Sequence, residues 1–259
     1  MVEKSDGVQT ITLNRPKTLN AWNAQMGLEV ASALDDARQD DNVRVVVVTG
    51  AGRGFSSGAD MGLLSNVAEN GPRIDNQVNR GPSIISIVLQ LRRLEKPVIA
   101  AINGITTGGG FGVALACDIR IASDRAEFSQ VFVRRGIIPD AGCTFFLPKI
   151  VGTEKALELI FSGDKIDSRQ ALEMGLVGRV VPHEELMAEA MNFARRLASG
   201  PPIAIGLAKR AVYLGMESSD LPSHLDMEFA YNSLCFSTED FREGVRSFRE
   251  KRQPHFKGR

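Results

Sequence analysis

The sequence predicts an α/β fold in which buried strands alternate with helices up to about residue 200, followed by a helical C-terminal segment. Three observations carry this. The runs VRVVVVT at 43–49 and PVIAAI at 97–102 are short, apolar and bounded by loops, the pattern of strands covered on both faces. Helical periodicity lies between and after them, which requires crossover connections with helices packed on a sheet. From about Glu154 onward the helical pattern dominates.

Val8 to Leu13 alternates with period two and stops at Asn14-Arg15-Pro16, a half-buried strand ending in a turn. Met26, Val30, Ala33, Leu34 and Ala37 repeat at three- and four-residue steps, an amphipathic helix that Asn23 can cap. The 43–49 strand runs into a Gly50–Gly58 loop, and the polar, aperiodic stretch 65–80 reads as a long surface loop. Ile84 to Leu94 is helical. After the 97–102 strand and a second glycine loop, Phe111 to Cys117 begins a helix. Helices are expected at 141–149, 154–161 and 168–174, then at 183–198 after a short strand at 176–181. Gly200-Pro201-Pro202 ends one helix and starts the next, and 203–216, 221–235 and 239–250 are helical.

Composition bounds the function. The 259 residues hold 31 Lys plus Arg against 31 Asp plus Glu, a balance that argues against phosphate-driven binding of nucleic acid. Cys117, Cys143 and Cys235 are far apart and fit neither a disulfide framework nor a metal site, so a reducing compartment and no metal are expected. Residues 97–117 carry no charge, yet five glycines and Asn103 make the stretch too polar and broken for a membrane span. The strand pattern starts almost at the first residue, so no leader is expected, and the protein is expected to be soluble and cytoplasmic.

Ten of the 25 glycines fall in two segments, 50–62 and 104–112, each following a buried strand. Turn geometry explains one or two glycines per segment; five suggest backbone approaching a ligand, with amides free at the helix start after Gly108-Gly109-Gly110. Neither segment spells a phosphate loop or a dinucleotide fingerprint. What is left is an oxyanion hole, two N–H donors from separate loops on one developing negative oxygen. Gly54-Phe55-Ser56-Ser57-Gly58 also matches the hydrolase G-x-S-x-G elbow, with Asp140 and His183 as triad partners on paper, but four to five loop residues separate it from its strand.

With both glycine segments in view, the chain resembles the crotonase (enoyl-CoA hydratase/isomerase) superfamily. The carriers are LNRPKTLNAW at 13–22, GFSSGADM at 54–61, AAINGITTGGGFGVALACDIRIAS at 100–123, PDAGCTFFLPKIVG at 139–152 and the tail FREKRQPHFKGR at 248–259. The resemblance implies a spiral of β-β-α turns over 1–200 that binds an acyl-CoA thioester. It further implies a helical region, 201–259, that builds trimers or hexamers and completes the active site. The implied oxyanion donors are the backbone N–H groups of Ala59 and Gly109. The implied substrate and CoA contacts are Lys17, Leu19, Ala21, Ser57, Asp60, Met61, Phe132, Phe248 and Lys251, the last two reaching a neighbouring subunit. No cofactor is implied beyond the coenzyme A of the substrate. For Lys257 and Arg259 a solvated, frayed tail is expected.

The departures from the family pattern speak to the chemistry. Gly112 and Phe132 stand where hydratases of this family carry their two glutamates, which puts ordinary hydration in doubt. Asp140 stands where a subset, including ring-epoxyphenylacetyl-CoA isomerase, carries its acid–base residue. Ile137, Ile138, Phe132 and Phe145 flank it, and apolar surroundings raise a carboxyl pKa. Asp140 could instead cap the following helix. The expected function is a double-bond shift, or isomerisation of a related ring, by a one-base shuttle through a thioester enolate, with Phe132 excluding water. The alternatives are a hydratase or lyase using Glu69 or Asp75, a dehalogenase-type nucleophile at Asp140, and a silent acyl-CoA binder. His183, His224 and His255 all follow the glycine loop and are expected at the surface or in caps.

Overall fold

A computed structural model describes residues 1–71, 83–217 and 220–259. Two sheets share the strands. One is six-stranded, in the order β1 (Val2–Ser5), β2 (Val8–Leu13), β3 (Val45–Gly50), β5 (Val98–Ile102), β7 (Ile119–Ser123), β10 (Arg179–Val181). It is parallel except for the β1–β2 hairpin. The other has the order β4 (Gly54–Ser56), β6 (Ile105–Thr107), β8 (Glu127–Ser129), β9 (Lys165–Asp167), with only β8–β9 antiparallel. Three turns of the chain, through β3 and β4, β5 and β6, and β7 and β8, each give one strand to the first sheet, one to the second, and then a helix. This is the β-β-α spiral that the family resemblance implied.

The corners between the sheets explain some of the clustered glycines. A Cβ on Gly50 would stand 2.2 Å from the Gly54 carbonyl oxygen, and one on Gly104 2.1 Å from that of Arg53. These two glycines serve close passage of backbone past backbone and bind nothing.

The valine run of β3 is covered on both faces. Val45 and Val47 pack with Val8, Ile99, Ala101 and Ile121 under Ala190, Ala194 and Ala198 of α8 (Leu186–Ala198). Val46 and Val48 face the larger core, with α1 (Ala24–Gln39), α3 (Ile84–Arg93) and α4 (Gly109–Ala116). Asn23 caps α1 through Met26 N at 2.9 Å. Helices α5 (Cys143–Val151), α6 (Thr153–Ser162) and α7 (Ser168–Glu173) follow, and α9 (Pro202–Glu217), α10 (Leu221–Ser237) and α11 (Glu239–Glu250) form the C-terminal region.

A buried ionic cluster ties α9 to the spiral. Lys209 Nζ lies 2.8 Å from Asp118 and donates to the carbonyls of Leu91 and Lys96, and the Tyr213 hydroxyl also donates to Asp118. Burial pulls the Lys209 pKa down, opposed by Asp118. With one partner gone, the other would be an uncompensated buried charge.

Several expectations need correction. Residues 65–70 are not loop but the second half of α2 (Met61–Asn70), which Asp60 caps through Gly62 N at 2.9 Å. The signal was missed because α2 buries no residue: Met61, Leu63 and Val67 all point outward. The rest of the expected loop through Arg80, Asp75 included, lies among or beside residues outside the described ones. The strand expected at 176–181 shrinks to β10, and the helix expected from 183 starts as a single 3₁₀ turn, His183–Glu185. The tail is docked rather than frayed. The Asp240 carboxylate accepts from Lys257 N and Gly258 N, the Arg259 carbonyl accepts from Glu239 N, and Arg44 reaches the Phe256 carbonyl.

Candidate active site

The site forms where the loop after β4 meets the loop after β6. Asn20, fully buried, stitches the first of these to the 15–22 segment. Its Oδ1 accepts from Arg15 N at 2.8 Å, and its Nδ2 donates to the carbonyls of Ala51 (2.9 Å) and Gly54 (2.7 Å). The two chains then pair in parallel: Trp22 N donates to the Gly58 carbonyl at 2.7 Å, and Asp60 N to the Trp22 carbonyl at 3.0 Å. That ladder turns the N–H of Ala59 away from Trp22.

On the opposing loop, Gly108 has φ +55° and precedes α4, so Gly109 is the first helical residue and its N–H has no intrahelical acceptor. The helix therefore begins two residues earlier than Phe111. The loops touch: a Cβ on Gly58 (φ +86°) would stand 3.0 Å from the Thr107 carbonyl oxygen and 3.1 Å from the Gly109 nitrogen. Only glycine satisfies both that φ and that spacing. Among the described residues, neither the Ala59 nor the Gly109 N–H has an acceptor.

Asp140 completes the cluster. Its Oδ1 lies 3.7 Å from where a Cβ on Gly109 would stand. The carboxylate caps no helix: α5 starts at Cys143 with Gly142 as its N-cap, and Asp140 contributes only its carbonyl, to Cys143 N at 2.9 Å. The capping alternative is thereby removed. No cation pairs with Asp140 among the described residues, and desolvation raises its pKa above the ordinary 3.8, offset in part by its own backbone N–H. The cleft is less dry than expected in the single chain. Asp140 remains accessible, as do Ile137, Ile138 (81 %) and Phe145, while Phe132 (5 %) lies in the main core.

Gly112, where the resemblance implies a glutamate in hydratases, has no room for a side chain. A Cβ on Gly112 would stand 2.4 Å from the Ala141 carbonyl oxygen and 2.7 Å from its Cβ. Ala141 holds φ +48° and Gly142 φ +76°, a left-handed pair that turns the chain onto Gly112.

The other expected residues divide into two groups. Ser57 N donates to the Leu19 carbonyl at 2.8 Å and Ser57 Oγ to that of Thr18 at 3.0 Å, so Lys17, Leu19, Ala21 and Ser57 lie along the same rim. Lys17 is exposed, Ala21 buried and Met61 exposed on α2. The Asp60 carboxylate is engaged by Arg15 at 2.8 Å as well as by its helix, and Arg15 holds its pKa below the usual range. Phe248 (85 % exposed) and Lys251 sit apart at the end of α11. Phe248 lines an apolar groove of about 510 Å³ with Ile203, Phe241, Val245 and Phe256. Glu69 is exposed on α2.

The hydrolase elbow is excluded. Ser56 is buried in β4, its Oγ donating to the Asn20 carbonyl at 2.9 Å, and His183 Nδ1 lies 3.1 Å from Ser123 Oγ instead. Asn20, Ala141 and Ile84, whose Cδ1 stands 2.6 Å from where a Cβ on Gly109 would be, are not singled out by the sequence reasoning. Asn20 could have been found from its place inside LNRPKTLNAW; the other two carry no local signal. Among the described residues there is no cluster of metal ligands, and no helix is long and apolar enough to cross a membrane.

Comparison with known proteins gives the family. The profile of the enoyl-CoA hydratase/isomerase family matches residues 3–259. The 1,2-epoxyphenylacetyl-CoA isomerase of Escherichia coli is 40% identical over 258 residues, spanning 100% of this chain and 97% of that protein. The short-chain-enoyl-CoA hydratase of Clostridium acetobutylicum is 39% identical, spanning 98% and 95%. Among solved structures, an enoyl-CoA hydratase from Bacillus anthracis superposes with a TM-score of 0.92 at 38% identity, covering 100% of this chain and 99% of that one. The chain belongs to the enoyl-CoA hydratase/isomerase (crotonase) family of acyl-CoA-processing enzymes.

Proposed function

We propose that this protein is an isomerase of acyl-CoA thioesters, moving a double bond or isomerising a related ring through one acid–base residue. The observation that carries the reading is the carboxylate of Asp140 beside the Gly109 donor, with the Gly112 glutamate position closed by the Ala141 carbonyl. The thioester oxygen sits between the N–H groups of Ala59 and Gly109. Asp140 takes a proton from the carbon next to the carbonyl, and negative charge moves onto that oxygen, where each donor lowers the barrier by on the order of 3 kcal/mol. Protonated Asp140 returns the same proton two carbons further along, so the carboxylate is regenerated and no atom is gained or lost. A carboxyl held above its ordinary pKa is a better base for a weakly acidic C–H than an exposed aspartate. The chemistry needs no metal or redox group.

Lys17, Leu19, Ala21, Ser57, Asp60 and Met61 form the rim that receives coenzyme A. Phe248, in its groove with Ile203, Phe241, Val245 and Phe256, and Lys251, at the end of α11, meet the coenzyme A of a neighbouring subunit, as the family resemblance implies. The second region, 201–259, supplies that oligomer contact. Phe229, Leu225, Leu234 and Phe236 of α10 are exposed, and α10 buries no residue in the single chain, consistent with a trimer or a pair of trimers. Names among the relatives favour one other reading, an enoyl-CoA hydratase. It would need a carboxylate from elsewhere, such as Glu69 on α2 or Asp75.

Incubation with a 3-enoyl-CoA and, separately, a 2-enoyl-CoA tests the assignment. The first should yield the conjugated thioester without incorporation of oxygen-18 from labelled water. Water addition to the second at a rate matching isomerisation overturns it.

A further inference from the structure

We infer that Ile84 sets the acyl selectivity of the site by excluding substituents on the carbon next to the thioester carbonyl. The inference rests on the reading above, in which Ala59, Gly109 and Asp140 surround that thioester.

Three groups converge at one point. Where a Cβ on Gly109 would stand, Ile84 Cδ1 is 2.6 Å away and Asp140 Oδ1 3.7 Å away. The terminal methyl of Ile84 thus fills the space where a Gly109 side chain would stand, beside one oxyanion donor and near the acid. The carbon that loses its proton must lie within reach of both the acid and the donor-bound oxygen, so it must pass against this methyl. Hydrogen fits there. A methyl branch on that carbon demands volume that Ile84 already fills, and close-packed apolar groups do not share volume.

Ile84 is also held in place. It is the first residue of α3, which Ser83 caps, and Ile87, Val88 and Leu91 anchor the helix in the main core. Its own side chain is half-buried against that core. The methyl is therefore a fixed wall on a secondary-structure element. The substrate class is an acyl-CoA unbranched at the carbon beside the carbonyl.

Ile84→Val removes the closest atom, Cδ1, and keeps Cγ1 at 3.7 Å from the same point, so it is the decisive variant; Ile84→Ala enlarges the same opening. Binding is measured by calorimetry with butanoyl-CoA and 2-methylbutanoyl-CoA, which are saturated and offer no double bond to move. The full-length wild type should prefer butanoyl-CoA by ~10-fold or more, the scale on which one methyl group is discriminated in an apolar pocket. The preference should shrink several-fold in Ile84→Val and further in Ile84→Ala, mainly through tighter binding of the branched thioester. Thermal unfolding reports whether each variant is folded, and Ile84→Val alone decides if Ile84→Ala is not. A wild type without preference, or a folded Ile84→Val with an unchanged ratio, overturns the role of Ile84 and leaves acyl-CoA binding standing. A wild type that binds neither thioester overturns the acyl-CoA reading and this inference together.

Discussion

Replacing Asp140 with asparagine separates its chemistry from any structural role. The substitution keeps the side chain's shape and removes only the ability to accept and return a proton. Among the described residues the carboxylate pairs with no cation and caps no helix, so nothing in the fold depends on its charge. Turnover of a 3-enoyl-CoA should fall by about 10²–10⁴-fold, the usual contribution of a positioned acid–base, or roughly 3–5 kcal/mol of barrier. The Kd of a saturated acyl-CoA should change by less than about threefold, because the Ala59 and Gly109 donors are untouched. Stability supplies a second readout with a definite sign. Desolvation raises the pKa of Asp140 in the folded state above the 3.8 of the unfolded chain, so the native state binds more protons between the two values. The wild type therefore loses stability relative to Asp140→Asn as pH rises through that window, and the deficit persists at neutral pH. Thermal unfolding of both proteins from pH 3 to 8 should show equal stability at the acid end and an equal or more stable variant at pH 7. A variant that retains activity within tenfold of wild type, or is clearly less stable at pH 7, would refute the reasoning.

Two further substitutions test the geometry. Gly112→Glu should not create a hydratase: its Cβ would meet the Ala141 backbone 2.4 Å from the carbonyl oxygen, and the protein should lose about 3 kcal/mol or more in urea unfolding. A stable Gly112→Glu that adds water to a 2-enoyl-CoA would show that the Ala141 turn yields readily. Asn20→Ala should cost about 3 kcal/mol, since it leaves the Arg15 N–H and the Ala51 carbonyl without their side-chain partner and the Gly54 carbonyl with Asn103 alone. Asn20→Gly should cost about 1 kcal/mol less, because φ +57° is free for glycine. Equal losses by calorimetry would show that the hydrogen bonds, not the backbone strain, set the whole effect.

What the sequence determined by itself was whatever is encoded in local order along the chain. Continuous apolar runs such as VRVVVVT specify strands covered on both sides, because every second residue meets a different layer. The cap of Asn23, the proline pair after Gly200 and the periodicity of α8 and α11 mark helix limits through chemistry within a few residues. The two glycine clusters marked the loops that could offer backbone donors, while Asp140 and the positions of Gly112 and Phe132 gained meaning only through the family resemblance. Only the tertiary structure decided which glycines leave an amide without an acceptor and which let two backbones cross. Gly50, Gly104 and Gly109 look alike in one dimension and differ in what lies 2–3 Å from them. It decided that α2 is a helix with an outward apolar side, that Asp140 leaves the α5 cap to Gly142, and that Ile84 stands over Gly109. These facts depend on atoms distant in sequence brought within van der Waals range, and no pattern along the chain records such distances.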